Sequence, residues 1–413
     1  MNFLFLKKNN TLKNYLYLSK LIIFSPFLIL LVIFRFFYKI KIVEIETRAI
    51  GHYALPIEIF LCEIINEIHD KNCIYIAFRN KFIANNFLYK KIKKNFLILP
   101  RIIMEPIFWF LNYKYIYQSF GKNFISDYRH WTKNYNYKNP FQDVDIYNVL
   151  PKTPPTIKFT KNEINFGKKL LEKINLSEGD KYVCFHSRTP HYYYNKKMTN
   201  ELKYKLRDSR SQNYFKTFKF LDEKNIKTVV VGENNQNSKI DSKIIYYNNS
   251  QIKNDFLDIY LLSTCRYLIG DSSGMSLVPL IFRKPIMFSN ISEIHSLYTK
   301  DSIYYPLILL KKFKSLETGE YVTFSQVLEK KLSKIEHINE LNKIGYEVED
   351  NSEEEILNAC EEMEHFTDKK DYLNRDDHLQ DKFNKILLKY NGYELKHSKI
   401  SYSFLKHNIS LIE

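Results

Sequence analysis

The chain has 413 residues, of which 45% are hydrophobic and 26% charged, a composition typical of a globular protein with room for two domains. Its net charge of +16 suits an anionic partner. No basic run or nucleic-acid motif concentrates that charge, so a phosphorylated substrate or an anionic membrane surface is favoured over nucleic acid. The five cysteines show no paired spacing, which indicates reduced thiols in the cytoplasm.

A basic and then apolar segment opens the chain. Lysines are frequent in residues 1–20, and residues 21–34 are apolar except for Ser25. This run is shorter than the roughly 20 residues that span a bilayer, Pro26 interrupts it, and no signal-peptidase site follows it. Residues 1–41 are therefore predicted to be a membrane-associated segment, interfacial or re-entrant, at the cytoplasmic face of the inner membrane. The alternative is a core helix of the first domain.

Residues 42–150 alternate between strand-like and helical stretches. Between the strand-like runs, apolar residues recur at helical spacing. This alternation predicts a first Rossmann-like lobe. Three prolines then indicate a linker, and residues 151–178 are predicted to hold that linker and a bridging helix. The strand-like runs of the first lobe are 42–46, 74–78 and 96–99.

The same alternation returns over residues 179–330 and predicts a second doubly wound parallel sheet. Residues 331–413 are predicted to form a helical, charged tail, in which Ser352-x-x-Glu355 has the form of a capping box that opens a helix. The predicted class is thus α/β, with two Rossmann-like lobes between an N-terminal apolar segment and a helical C-terminal tail. The strand-like runs of the second lobe are 182–186, 228–231, 244–246, 267–269 and 286–288.

The sequence GDSSG at 270–274 lies between a predicted strand and a predicted helix. Such a loop sits at the carboxyl end of its strand, where backbone N–H groups and a helix N-terminus favour an anion. His186 and Arg188 end another strand of the same predicted sheet, so we expect them at the same edge. Arg188 can bind a diphosphate bidentately, while Ser272 and Ser273 can donate hydroxyl hydrogen bonds.

The same loop also matches the G-x-S-x-G pattern of serine hydrolases, in which Ser272 would be the nucleophile. Asp301, His295 and His337 are the available acid and bases. No glycine-rich oxyanion segment precedes the loop, so the phosphate interpretation is preferred. The D-x-D sequence at 143–145 does not end an apolar strand, and we predict neither a metal nor a cofactor.

Several short segments, taken together, resemble a family of bacterial glycosyltransferases with the two-lobed GT-B architecture, associated with surface-polysaccharide biosynthesis. They occur in the expected order between residues 48 and 363. The segments are RAIGHYALPIE (48–58), TPPTIKFT (153–160), YVCFHSR (182–188), RDS (207–209) with NY (213–214), DFLDIY (255–260), IGDSSGMS (269–276) and NSEEEI (351–356). The H-x-R strand end with an S-S-G loop is also similar to the donor site of GDP-fucose-type transferases.

The resemblance implies that the second lobe binds a nucleotide-sugar donor and that the first lobe takes the acceptor, with His52 and Glu58 as candidate catalytic residues. Two departures from the pattern leave the donor sugar open: Thr189 stands where an acid is expected, and valines 229–231 stand where a basic residue is expected. The implied donor-binding residues are His186, Arg188, Arg207, Ser209, Asp271, Ser272, Ser273 and Gly274.

The sequence therefore predicts a metal-independent glycosyltransferase at a membrane surface. It would transfer a sugar from a nucleotide-diphosphate donor to a lipid-linked or polysaccharide acceptor, and Arg188 and the loop donors would stabilise the leaving diphosphate. A serine hydrolase that uses Ser272 ranks second. A non-catalytic carbohydrate-binding or assembly protein of the same fold is the third alternative.

Overall fold

A computed structural model describes residues 11–70, 72–125, 145–188, 206–232, 243–301, 304–369 and 377–413. The chain forms two compact units, Met1–Ile157 and Lys158–Glu413. Parallel sheets lie in both units, so the predicted α/β class is confirmed.

The first unit contains a three-stranded parallel sheet in the order β1-β2-β3. The strands are β1 (Lys39–Ile45), β2 (Cys73–Arg79) and β3 (Leu97–Ile98). Parallel strands require crossover connections, and the helices Ala54–Ile65 and Asn86–Ile92 lie in the connections between these strands. The helices are α1 (Thr11–Phe34), α2 (Ala54–Ile65), α3 (Asn86–Ile92), α4 (Arg101–Leu111) and α5 (Lys114–Ser119).

One side of α1 packs on α4. Leu31 is 5% exposed and belongs to the same buried cluster as Met104, Ile107 and Leu111. The predicted apolar segment is thus part of a longer helix with one face in the core of the first unit. Within the part of the chain that the structure describes, no helix has the length and apolar character needed to cross a membrane.

The second unit contains a six-stranded parallel sheet in the order β12-β8-β7-β6-β4-β5. Its strands are β4 (Lys181–His186), β5 (Ile226–Val230), β6 (Leu268–Gly270), β7 (Ile286–Ile291), β8 (Leu307–Leu310) and β12 (Lys399–Ile400). An antiparallel sheet in the order β10-β9-β11 consists of β9 (Lys312–Ser315), β10 (Tyr321–Val322) and β11 (Tyr346–Glu349).

The second unit also contains nine helices among its described residues. The capping box predicted at Ser352 is confirmed. Ser352 N donates to Glu355 Oε2 at 2.9 Å, and Glu355 N donates to Ser352 Oγ at 3.2 Å. The helices are α6 (Lys161–Glu172), α7 (Phe215–Glu223), α8 (Asp255–Thr264), α9 (Val278–Ile281), α10 (Phe324–Glu329), α11 (Ile338–Lys343), α12 (Glu353–Lys369), α13 (His378–Asn391) and α14 (Tyr402–His407).

Two features of the second unit differ from the sequence prediction. Residues 331–413 are more than a helical tail, because they also supply β11 and the edge strand β12. The helix expected after the GDSSG loop is short: a 3-10 turn, Met275–Leu277, leads into the four-residue α9. Pro279 stands at its start, and Arg283 with a positive φ of 60° follows its end. A helix this short adds little dipole to the loop.

Candidate functional site

The candidate site lies at the carboxyl edge of the six-stranded sheet in the second unit. In the register of the central strands, His186 of β4 pairs with Gly270 of β6, and Gly270 pairs with Phe288 of β7. Arg188 and Asp271 therefore leave the sheet side by side, as expected for parallel neighbours. The structure brings together the H-x-R segment and the 270–274 loop.

Asp271 connects three segments of the chain beneath this edge through hydrogen bonds. Its Oδ2 accepts a hydrogen bond from Arg188 N at 2.5 Å and another from Ser209 Oγ at 3.1 Å. Ser187 Oγ donates to Ser209 O at 3.1 Å and strengthens the same connection. Asp271 is fully buried, and burial raises the pKa of its carboxyl to about 7 although the Arg188 N–H and the Ser209 hydroxyl lower it. The Asp271 carboxyl therefore fixes the backbone of Arg188 and the side chain of Ser209 from the buried side of the site.

Arg188 supplies a cation at the edge, and its side chain is 10% exposed. Its Nε lies 3.7 Å from Oδ1 of Asp208, whose backbone carbonyl accepts a hydrogen bond from Lys311 Nζ at 2.7 Å. Lys311 Nζ also lies 2.7 Å from Asp350 Oδ1. The Asp208 carboxylate thus lies beside a guanidinium that is largely desolvated. An anionic ligand would interact strongly with the guanidinium in this position.

His186 is a neutral, 8% exposed imidazole at the end of β4. Its Nδ1 lies 3.3 Å from Val231 O, and burial lowers its pKa to about 4. A carbonyl partner assigns the proton to Nδ1 and leaves Nε2 as an acceptor for a hydroxyl group. Gly232 permits this placement: its φ is +84°, and a Cβ there would lie 2.4 Å from His186 Nδ1.

The serines of the GDSSG loop are engaged within the second unit. Ser272 Oγ donates to Glu293 Oε1 at 2.9 Å, and Ser273 Oγ lies 3.0 Å from Ser276 Oγ. Ser276 Oγ in turn donates to Asp271 O at 2.8 Å. In hydrolases with the G-x-S-x-G pattern a histidine base contacts the serine hydroxyl, whereas the partner of Ser272 is the Glu293 carboxylate. The loop geometry therefore disfavours the hydrolase alternative.

Sequence reasoning missed Glu293, which is partly exposed at the edge of the site. Arg207 Nε lies 3.5 Å from Glu293 Oε1. Burial opposes ionisation of this carboxyl, but Lys300, Arg207 and the Ser272 hydroxyl outweigh burial and hold its pKa below the usual range. Glu293 follows β7 by two residues, so the rule that selected His186 and Arg188 at the end of β4 also identifies Glu293.

Hydrogen bonds beneath the edge connect several segments that carry the family resemblance. Asn290 N donates to Asn351 Oδ1, and Asn351 N donates to Asn290 Oδ1, both at 2.7 Å. Asn290 Nδ2 also donates to Tyr214 OH at 3.0 Å, and Asn213 Nδ2 donates to Asn351 O at 2.8 Å. The NY and NSEEEI segments are thus structural supports of this edge as well as matches in sequence.

The two first-unit candidates differ in burial. His52 is exposed in the turn Ile50–His52. Glu58 is 1% exposed, its Oε1 accepts a hydrogen bond from Thr156 N at 3.0 Å, and its Oε2 accepts one from Thr156 Oγ1. The RAIGHYALPIE and TPPTIKFT segments therefore meet through Glu58 and Thr156. The catalytic roles of His52 and Glu58 stay predictions.

Thr189, and Asp143 of the D-x-D sequence, lie outside the described residues. Over the described ranges, no cluster of three or more His, Cys, Asp or Glu side chains has the arrangement of a metal site. Valines 229–231, where a basic residue was expected, are buried at the end of β5.

No protein-family model and no curated protein matches this sequence. Among solved structures, the chain is similar to the E. coli ADP-heptose LPS heptosyltransferase II, with a TM-score of 0.36 and 10% identity over 60% of this chain and 84% of that one. It is similar to a family 9 glycosyltransferase from Veillonella parvula, with a TM-score of 0.37 and 12% identity over 60% and 80% of the two chains. A third similar structure is the E. coli heptosyltransferase WaaC with ADP, with a TM-score of 0.33 and 8% identity over 66% and 90%. Similarity at this level assigns neither a family nor an activity to the chain.

Proposed function

We propose that the protein is a glycosyltransferase that binds a nucleotide-diphosphate sugar at the carboxyl edge of its six-stranded sheet. The observation that supports this most is the convergence of Arg188, His186 and the Ser272 hydroxyl at the ends of neighbouring parallel strands. The family resemblance of seven segments in order supports the same activity. The site offers a cation, a hydroxyl donor and a neutral acceptor, which suit a diphosphate and an adjacent sugar.

In this proposal Arg188 binds the diphosphate of the donor through charge-assisted hydrogen bonds. When the bond between the anomeric carbon and the diphosphate oxygen breaks, negative charge grows on the leaving group. Arg188 and Arg207 stabilise that charge, and the Ser272 hydroxyl turns from Glu293 to the phosphate. No step in this scheme requires a metal ion.

Two acceptor groups remain for hydroxyls of the ligand. His186 Nε2 and the Glu293 carboxylate both accept hydrogen bonds, and neither suits a phosphate oxygen. We assign them to hydroxyl groups of the sugar or the ribose. Replacement of Glu293 by Gln is then expected to weaken binding of the nucleotide sugar.

The acceptor in this proposal is lipid-linked or a polysaccharide, and the product belongs to cell-surface glycan biosynthesis. The acceptor hydroxyl attacks the anomeric carbon and loses its proton to a base. His52 and Glu58 are the predicted bases. His52 is already exposed, whereas Glu58 must first lose the hydrogen bonds from Thr156.

Isothermal titration calorimetry against UDP-, GDP-, ADP- and CMP-sugars tests the proposal. We expect binding of at least one diphosphate donor and weaker binding of CMP-sugars, which carry one phosphate. If no nucleotide sugar binds, the proposal is wrong. Covalent labelling of Ser272 by a serine-reactive phosphonate would instead favour the hydrolase. Donor binding without hydrolysis or transfer would favour a non-catalytic binding protein.

A further inference from the structure

The outer side of α1 presents an unusually continuous apolar surface. Ile22 and Ile23 are each 66% exposed, and Phe36 in the turn after the helix is 84% exposed. The exposed positions recur at helical spacing along one side of α1 and continue through this turn. We define the outer face of α1 as Tyr15, Leu18, Ile22, Ile23, Ile29, Leu30, Ile33, Phe34, Phe36, Phe37 and Tyr38, all 48–84% exposed.

The opposite side of the same helix explains why the outer face is not simply unpacked core. Phe24, Phe27 and Leu31 point to the cluster formed with Met104 and Ile107. The helix is therefore already anchored to the first unit through one face. An apolar surface of this length on the other face marks a place where something else binds.

The charge of the surrounding sequence identifies the chemistry of that partner. The chain contains seven lysines and arginines before its first carboxylate, which is Glu44. Arg35 is exposed at the turn after the helix, and Lys20 is half-buried within the helix. Lys39 is also exposed, but it pairs with Asp70 of the first unit. Apolar side chains that enter acyl chains, with cations beside them, are the combination that binds anionic lipid surfaces.

A second copy of the chain fits this face less well. Two copies paired through α1 around a two-fold axis would bring Lys20 and Arg35 of both copies close together. Residues 1–43 contain no acidic residue that could offset these charges. A bilayer with anionic headgroups neutralises these cations and also buries the apolar side chains. Phe36, Phe37 and Tyr38 follow the helix directly, and aromatic side chains favour the headgroup boundary.

We propose that the outer face of α1 is a monotopic membrane-binding surface for anionic phospholipid. The helix lies in the plane of the interface with Ile22, Ile29 and Ile33 toward the acyl chains, while its inner side stays packed on α4. This inference depends on the first unit alone and is independent of the donor site in the second unit. It also assigns the surface to one side of α1 instead of to a spanning segment.

Vesicle co-sedimentation of the full chain tests this surface. We expect the protein to bind phosphatidylcholine vesicles that contain phosphatidylglycerol, to bind pure phosphatidylcholine vesicles less, and to dissociate as sodium chloride is raised. In the triple variant Ile22→Ser, Ile29→Ser, Ile33→Ser, we expect the partition coefficient to fall by at least about tenfold. Arg35→Gln and Lys20→Gln should each lower the partition coefficient roughly fivefold on anionic vesicles and leave it unchanged on pure phosphatidylcholine vesicles.

The matched control is the double variant Ile344→Ser, Leu388→Ser. These side chains are 52% and 54% exposed in the second unit, and their replacement should leave partitioning unchanged. Circular dichroism with a thermal melt verifies that the triple variant is folded. The double variant Phe36→Ser, Phe37→Ser tests the turn after α1 and leaves the helix sequence unchanged. The proposal is overturned if the wild-type chain binds neither vesicle. It is equally overturned if the folded variants partition like wild type, or if sedimentation shows that the outer face instead forms a dimer.

Discussion

The carboxyl edges of the two parallel sheets differ in how their polar groups are used. In the first unit, Thr47 N donates to Asn80 Oδ1 at 3.0 Å and Thr47 Oγ1 donates to Phe82 O at 2.6 Å. These groups join loops of the unit to each other. In the second unit, the edge gathers an arginine and several carboxyl groups, one of them with a pKa near 7. Polar and charged residues follow the strand ends at both edges. In the first unit Arg48 is exposed and paired with Glu46, whereas Arg188 in the second unit is 10% exposed, so an anionic ligand would interact more strongly with Arg188.

The sharpest test of this contrast uses the buried carboxyl of Asp271. Its folded-state pKa of about 7 exceeds the ordinary 3.8, so between these pH values the folded chain holds a proton that the unfolded chain has lost. Stability therefore falls as pH rises through this window, by about 4 kcal/mol in total. His186 acts in the opposite direction, because its folded-state pKa of about 4 lies below 6.5 and its contribution to stability rises with pH.

Asp271→Asn should separate these two effects. Asn can still accept hydrogen bonds from Arg188 N and Ser209 Oγ, but it does not titrate. We expect the unfolding free energy of the variant, relative to that of wild type, to rise by about 4 kcal/mol between about pH 4 and 7, because the variant lacks the contribution of Asp271 that falls over this window. Denaturant unfolding from about pH 4 to 8 measures this. A constant difference between variant and wild type at all pH values would mean that Asp271 is ionised throughout.

The second prediction compares one arginine from each edge. Arg188→Ala should weaken donor binding about 100-fold, or about 3 kcal/mol, because the ligand loses charge-assisted hydrogen bonds in a largely desolvated site. Arg48→Ala should leave donor affinity unchanged, since Arg48 is exposed and pairs with Glu46 at 2.7 Å in the first unit. Calorimetry with the bound donor measures both. If Arg188→Ala and Arg48→Ala bind the donor with equal affinity, the donor site is not at the carboxyl edge of the six-stranded sheet.

The third prediction concerns the backbone that admits His186. Gly232→Ala places a Cβ against the imidazole, whereas Gly345→Ala meets no atom within 4 Å, although their φ values are similar at +84° and +86°. Both variants should lose about 1 kcal/mol from the strained backbone. Gly232→Ala should lose about 2 kcal/mol more from the clash and should also bind donor more weakly. Equal melting temperatures for the two variants would contradict the close approach.

The meeting of His186, Arg188 and the 270–274 loop was predictable, because parallel strands end at one edge and the strand-like runs are visible in the sequence. The inward direction of Asp271 was not, since its hydrogen-bond partners lie 62 and 83 residues earlier in the chain. Strand β12 has two residues, too few for a period to show. The short α9 was missed because apolar spacing does not distinguish a 3-10 turn from an α-helix.

The smallest expected effect distinguishes a support from a catalyst in the first unit. Glu58→Gln keeps the shape of the side chain but weakens the two hydrogen bonds from Thr156, a residue 98 positions later. We expect a loss of about 1.5 kcal/mol in unfolding free energy and no change in donor affinity, because a charge-assisted hydrogen bond in a buried site is replaced by a neutral one. His52→Gln, at an exposed position, should leave stability unchanged. If Glu58→Gln is instead as stable as wild type and abolishes sugar transfer, Glu58 is the base, and the carboxyl that now supports the fold must be released by Thr156 during turnover.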